Sequence, residues 1–249
     1  MNWTKLKNIM LAFLIFMNVL LLFIISLSTL IEENIPESAI DAGIEILIKD
    51  GFSCNKDVFP KTYESIPTIT AKYYAATELS QIFFKNQLAF KTEDNSLIAT
   101  SEDATLTITD NHFIYDTTDN PINASSLKVL KKLKKLGLDM DGAIYDEKQN
   151  QFIKTNNNIE FFNIYLKAKL NEDNEICYVE GIWPVITSVG ENKHLSFSSH
   201  VLKVKDIFPQ GGKITEIKLG YSFNASRKDK LTFAPSWKIT IDGESKILS

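Results

Sequence analysis

The stretch "LAFLIFMNVLLLFIISL", residues 11–27, carries no charge and a single amide, Asn18, at its middle. Extended outward, the uncharged run reaches from Asn8 to Ile31, and roughly 20 residues suffice for a helix to cross a hydrocarbon core. Lys5 and Lys7 precede the run with no acidic neighbour, and Glu32 and Glu33 follow it. The positive-inside tendency then predicts residues 1–7 in the cytoplasm, a transmembrane helix over 8–31, and the remainder outside the cell. Trp3 stands where an indole rests at headgroup level. Ser26 and Ser28 form a small-x-small pair of the kind a signal peptidase accepts. Signal cores, however, run about 7–15 apolar residues, and this run continues well past that. The expectation is a retained anchor: a single-pass protein of the cell membrane with an extracytoplasmic C-terminal domain.

All 31 acidic residues and all but two of the 27 Lys and Arg lie beyond residue 31, so that part carries a net charge of −6. An acidic chain of this kind is a poor partner for nucleic acid. At 44% hydrophobic residues it has the apolar content of a folded domain. Cys54 and Cys177 are the only cysteines; a disulfide between them and two buried free thiols are both compatible with the sequence. There is no CxxC pair to suggest zinc or thiol redox chemistry.

After the spacer "EENIPES", Ile40, Ile44 and Leu47 recur at helical spacing, with Asp50-Gly51 as a stop. Leu79, Ile82 and Phe83 predict a second helix. The period then changes to two, and "LAFKTED", "LIATSE", "ATLTITD" and "HFIYDTT" read as an antiparallel meander with a turn at residues 110–112. "NASSLKVLKKLKKLG" returns to helical spacing with Leu127, Leu130 and Leu133 on one side and Gly137 at its end. Its other side carries Lys128, Lys131, Lys132, Lys134 and Lys135, either an anion-attracting face or an ordinary solvated one. A second meander follows, from "IEFFNIYLKAKL" through "ICYVEGIW", and residues 195–207 permit a helix. The final strands, "ITEIKLGYSF" and "SWKITIDG", place Ile217, Leu219, Tyr221 and Phe223, then Trp237, Ile239 and Ile241, each on one face.

This order predicts an α+β fold, one N-terminal transmembrane helix followed by a two-lobed extracytoplasmic domain of curved antiparallel sheets packed with helices. The lobes are expected over 32–120 and 121–249. Little in the chain signals catalysis. His112, His194 and His200 lack metal-ligand spacing and read as incidental. "DMDG" at 139–142 imitates the start of a calcium loop but lacks the later ligands. No nucleophile elbow, Walker loop, dinucleotide fingerprint or H-E-x-x-H occurs. The expectation is a chain that is not an enzyme, with no catalytic, metal or cofactor residues.

The N-terminus "MNWTKLKNIMLAFLIFMNVLLL", with Trp3 ahead of a Lys-flanked apolar helix and an amide at its centre, resembles the start of the YycI family, which is related to YycH. "KITEIKLGYSF" followed by "LTFAPSWKITIDG" resembles the YycI pattern of a Leu-Gly-Tyr strand and then a Pro-x-Trp strand, here Gly220, Tyr221, Pro235 and Trp237. The resemblance covers about a fifth of the chain at its two ends, and one departure is that the sequence stops at "GESKILS", where the family often continues with a Tyr-Val-Asn-Ala-like tail. It implies a membrane-anchored accessory regulator of a WalK-type (YycG) sensor histidine kinase in a two-component system of cell-wall homeostasis. The implied partners are that kinase, a YycH-like membrane protein and an unidentified extracytoplasmic ligand. For Gly220, Tyr221, Pro235 and Trp237 the residue types favour structural roles.

In this setting Asn18 gains a reading. Leu11, Leu14, Ile15, Leu21, Leu22 and Ile25 lie at spacings of three, four and seven around it, an apolar seam with one polar group at its centre. The amide either bonds its own helix or pairs with a partner helix, where such bonds are worth on the order of 0.6–2 kcal/mol. Two other classes stay open: a tethered ligand-binding domain unrelated to a kinase, and a wall-processing enzyme.

Overall fold

The computed structural model describes residues 7, 10–11, 13–23, 35–61, 64–122, 124–227 and 230–248. Two compact units divide the chain: a smaller one of residues 1–66, 193–217 and 239–248, and a larger one of 67–192 and 218–238. The chain therefore passes from one unit to the other repeatedly, and neither is a continuous segment.

Two expectations are corrected. Among the described residues no helix is long and apolar enough to cross a membrane. Helix is described at residues 7, 10–11 and 13–23, and a span needs roughly 20 apolar residues in one helix. The predicted transmembrane helix over 8–31 is thus not found, and the single-pass topology deduced from it loses its support. Positions 8, 9, 12 and 24–31 lie outside the described residues. The balance of α to β is corrected as well, because the described residues form mostly sheet. Residues 195–207 show why. A strand runs to Leu195, a single 3-10 turn occupies Phe197–Ser199, and only Val201–Ile207 is α-helical. Ser196, Ser198 and Ser199 all fall in the stretch that is not α-helical, where serine hydroxyls compete with the backbone, as Ser199 does by donating to the Ser196 carbonyl at 2.7 Å.

In the smaller unit, helix α1 (Glu37–Lys49) buries Ile40, Gly43 and Leu47, much as the sequence spacing predicts, and ends at Asp50. Gly43 is needed for packing: a Cβ there would lie 2.9 Å from Cζ of the buried Phe59. Phe59 in turn meets Phe197 edge-on at 5.2 Å. Strand β1 (Phe52–Cys54) pairs in parallel with the start of a long strand, Gly212–Arg227.

The further strands lie mostly in the larger unit, and β2, β11, β12 and β13 each have one end in the smaller one. They are β2 (Glu64–Lys72), β3 (Lys91–Glu93), β4 (Ser96–Thr100), β5 (Ala104–Thr109), β6 (His112–Thr117), β7 (Ala143–Asp146) and β8 (Gln151–Asn156). They continue with β9 (Ile159–Leu170), β10 (Ile176–Ile182), β11 (Val185–Leu195), β12 (Gly212–Arg227) and β13 (Lys230–Ile241); β14 (Glu244–Leu248) belongs to the smaller unit. The hydrogen-bonded order is β11-β2-β13-β12-β9-β10-β6-β5-β4-β3, with β8 joining β9 and β7 joining β8. The predicted meander is present as β3 to β6, and its turn falls at Asp110 and Asn111, between the paired Thr109 and His112. Asp110 supplies the positive φ, 53°, that such a two-residue turn requires.

Two helices, α2 (Ala76–Phe84) and α3 (Ser126–Leu136), also belong to this unit; α4 is Val201–Ile207 in the smaller one. Helix α3 ends at Gly137 in the left-handed region, φ 106°, as its sequence predicts. Its buried face is Val129 and Leu133, however, and Leu127 is exposed. The β8–β9 register contains a pronounced bulge. Thr155 pairs with Glu160 while Ile153 pairs with Tyr165, so two steps along β8 oppose five along β9. Lys154 sits at that irregularity.

Candidate functional site

The seam residues predicted around Asn18 are helical where they are described. Leu11, Leu14, Ile15, Leu21 and Leu22 are all exposed, and large apolar side chains between residues 10 and 23 stand 39–68% accessible. Ile25 and Trp3 lie outside the described residues. The Asn18 amide donates to the Leu14 carbonyl of its own helix at 2.8 Å. That leaves its side-chain oxygen and second N–H for a neighbour.

The four C-terminal motif residues occupy the interior of the larger unit. Tyr221 is buried and stacks on Phe161 at 4.7 Å, and its hydroxyl accepts a 3.5 Å contact from the Asn156 amide. Burial raises the Tyr221 phenol above its ordinary pKa. Pro235 is buried and Trp237 is 2% exposed, so the tryptophan fills core and presents no surface. Beside them the Ser222 and Ser236 hydroxyls bond each other at 2.6 Å, a pair that satisfies both groups away from water. Gly220 is packed so closely that a Cβ would lie 2.3 Å from Phe162 Cζ and 2.7 Å from the Glu160 carbonyl oxygen.

Lys154 shares the inward face of β8 with Phe152, and its side chain is 1% exposed. Its ammonium donates to Asp139 Oδ2 at 3.0 Å and to the Asp139 carbonyl at 3.2 Å, and lies 5.1 Å from the Trp183 ring centroid. The Trp183 indole donates to the same carbonyl at 2.6 Å, and the Asp139 N–H donates to the Tyr74 hydroxyl at 2.7 Å. Burial pulls the Lys154 pKa below its ordinary value, opposed by the Asp139 carboxylate. The "DMDG" stretch is therefore a turn that clamps a buried cation, with Asp139 Oδ1 accepting the Asp141 N–H at 3.2 Å. No group of three or more His, Cys, Asp or Glu among the described residues is placed to hold a metal ion. The neighbouring void, lined in part by Tyr74, Phe113 and Trp183, measures about 40 Å³. That is room for a water or two and excludes a substrate. The clamp is structural. Its sequence signal is Lys154 alternating with Phe152, a charge on the inward face of a strand.

A second cluster lies where β6, β9 and β10 adjoin. His112 Nε2 is 3.6 Å from Glu180 Oε1, the Tyr178 hydroxyl donates to Glu180 Oε2 at 2.8 Å, and the Tyr165 hydroxyl is 3.4 Å from His112 Nε2. Burial, followed by the Glu180 carboxylate, pushes the Tyr178 phenol up to about 12. A raised phenol pKa contributes stability that is complete below the unfolded value and is lost as pH rises through the folded one. Tyrosinate absorbance should therefore show one phenol ionising near pH 12 that is missing from Tyr178→Phe and moves downward in Glu180→Gln. A Tyr178→Phe titration matching the wild type would remove this assignment. His112 is thus part of a polar group that no local spacing reveals. His200 Nδ1 stays within its own turn, 3.0 Å from the Ser196 carbonyl, and His194 lies in β11. Both cysteines are free thiols, and burial raises each above its ordinary pKa.

No protein-family model and no curated protein sequence matches this chain. Among solved structures, the chain is similar to an uncharacterised protein from Eubacterium rectale at 15% sequence identity and a TM-score of 0.43, over 79% of this chain and 85% of that one.

Proposed function

We propose that this chain is a non-catalytic accessory protein that regulates a WalK-type sensor histidine kinase by associating with the kinase and with a YycH-like chain. The reading rests on the resemblance of the two ends to the YycI family. The observation that carries it is the exposed apolar helical surface between residues 10 and 23. A helix that is apolar all round normally has a cover, and the bare side chains here are too many and too contiguous to be scattered surface residues. The apolar helix of a partner supplies such a cover, and the free acceptor of Asn18 gives the pair a rotational register. Regulation then follows if the association is tighter with one state of the kinase, because only a differential affinity shifts an equilibrium.

The test is co-purification of the full chain with the co-expressed kinase and YycH-like chain. The wild-type chain should retain both partners. Asn18→Leu should weaken recovery several-fold, and Leu14→Lys with Leu21→Lys should abolish it. Recovery unchanged in all variants, or absent with the wild type, overturns the reading.

A further inference from the structure

A pocket of about 260 Å³ in the larger unit opens between α2, α3, β6 and β10, with Phe83, Lys85, Tyr115, Lys132, Lys135 and Ile176 on its walls. Phe83 and Tyr115 stack with centroids 4.4 Å apart and an interplanar angle of 12°, and Phe84 meets Tyr115 edge-on at 5.8 Å. Burial of both stacked rings, 7% and 9% exposed, holds this aromatic wall in place. The pocket's rim is cationic. Three lysines and one acidic residue, Glu175, line it, in a chain whose overall charge is −4.

The five lysines of α3 separate by use. Lys128 donates to Asn174 and Lys134 to Asp141. Lys132 and Lys135, like Lys85, have no carboxylate within salt-bridge distance among the described residues. Lys85 carries a further mark. Among the described residues ten non-glycine positions have positive φ, and all are Asn or Asp except Lys85, at φ 60°. This is the cap of α2, a position that glycine or asparagine normally fills, and the left-handed region disfavours a lysine. This left-handed residue is one of the three lysines that line the pocket.

We propose that this pocket binds a small flat aromatic carboxylate, its ring against the Phe83–Tyr115 wall and its anion among Lys85, Lys132 and Lys135. The size fits: an apolar cavity of about 150 Å³ holds a benzene, so this one takes one or two rings with a carboxylate. The proposal is independent of any kinase, and its failure leaves the preceding reading intact.

Isothermal titration of the full chain with 1-naphthoate, 1-naphthalenemethanol and inorganic phosphate decides it. Naphthoate should bind one to one. The neutral alcohol should bind about tenfold more weakly, as should naphthoate to Lys132→Gln with Lys135→Gln, the effect of two partly exposed charge contacts. Lys85→Gly, which relieves the backbone while removing the charge, should weaken binding several-fold, and Lys131→Gln, outside the pocket, should leave it unchanged. The exposed apolar residues 10–23 are the same in every variant, so uptake there cancels. Equal affinity for acid and alcohol, an unaffected double variant, displacement by phosphate, or no binding overturns the proposal.

Discussion

Asp139→Asn should lower the unfolding free energy by about 3 kcal/mol, the lower end for removing one member of a buried ion pair. The amide keeps the oxygen that accepts the Asp141 N–H and loses the charge that balances Lys154. The ammonium is then left with one carbonyl and the Trp183 ring. Lys154→Met, by contrast, should change stability by no more than about 1 kcal/mol, because a methionine of similar length fills the site and the partly exposed carboxylate returns to water. The double variant should therefore recover most of what Asp139→Asn loses. The deficit should also shrink as pH rises. Lys154 titrates below its ordinary value in the folded chain, so stability increases with pH across the window between the folded and unfolded values. Removing the carboxylate widens that window toward neutrality. Urea melts of the three variants at two pH values measure this; a full-sized loss in Lys154→Met, or no rescue in the double variant, contradicts it.

Gly220→Ala should cost about 1–3 kcal/mol by overpacking. The new methyl would meet the Phe162 ring tip at 2.3 Å and the Glu160 carbonyl at 2.7 Å. The ring can swing, but the carbonyl belongs to backbone in the sheet and cannot retreat without disturbing the Tyr221–Phe161 pairing of β12 with β9. The Glu160 side chain is held as well, by Lys218 at 2.6 Å and Lys238 at 3.7 Å. Adding Phe162→Leu should restore only part of the loss, because it relieves one of the two clashes. Thermal melts of the single and double variants measure the partition, and an unaltered melting temperature in Gly220→Ala refutes the packing argument.

Local periodicity revealed much of this architecture. Helices α1 and α3, with Gly51 and Gly137 beyond their ends, and the β3–β6 meander with its Asp110 turn are encoded within ten or so residues each, and such features are legible. The apolar N-terminal run reads as a membrane span because hydrophobicity measures only what a helix could cross, and among the described residues no helix is long and apolar enough to do so. The lysine face of α3 was visible in the sequence, but not the division of its charges, because Asn174 and Asp141 come from other parts of the chain. The same holds for His112 with Glu180, joined only by the β6–β10 pairing, and for the partner of Lys154: its alternation with Phe152 marks it as inward-facing, but Asp139 comes from a turn fifteen residues earlier. Tyr221 and Trp237 could be assigned to the interior from residue type and face alone.

The interleaving of the two units bears on how this protein can be dissected. A cut at any one peptide bond from 67 to 237 leaves pieces of both units on either side. Half-chains expressed separately would each hold incomplete sheets, and a protease nick in this range would leave two fragments that need each other to hold their shape. Fragment complementation, rather than truncation, is the appropriate way to take this molecule apart.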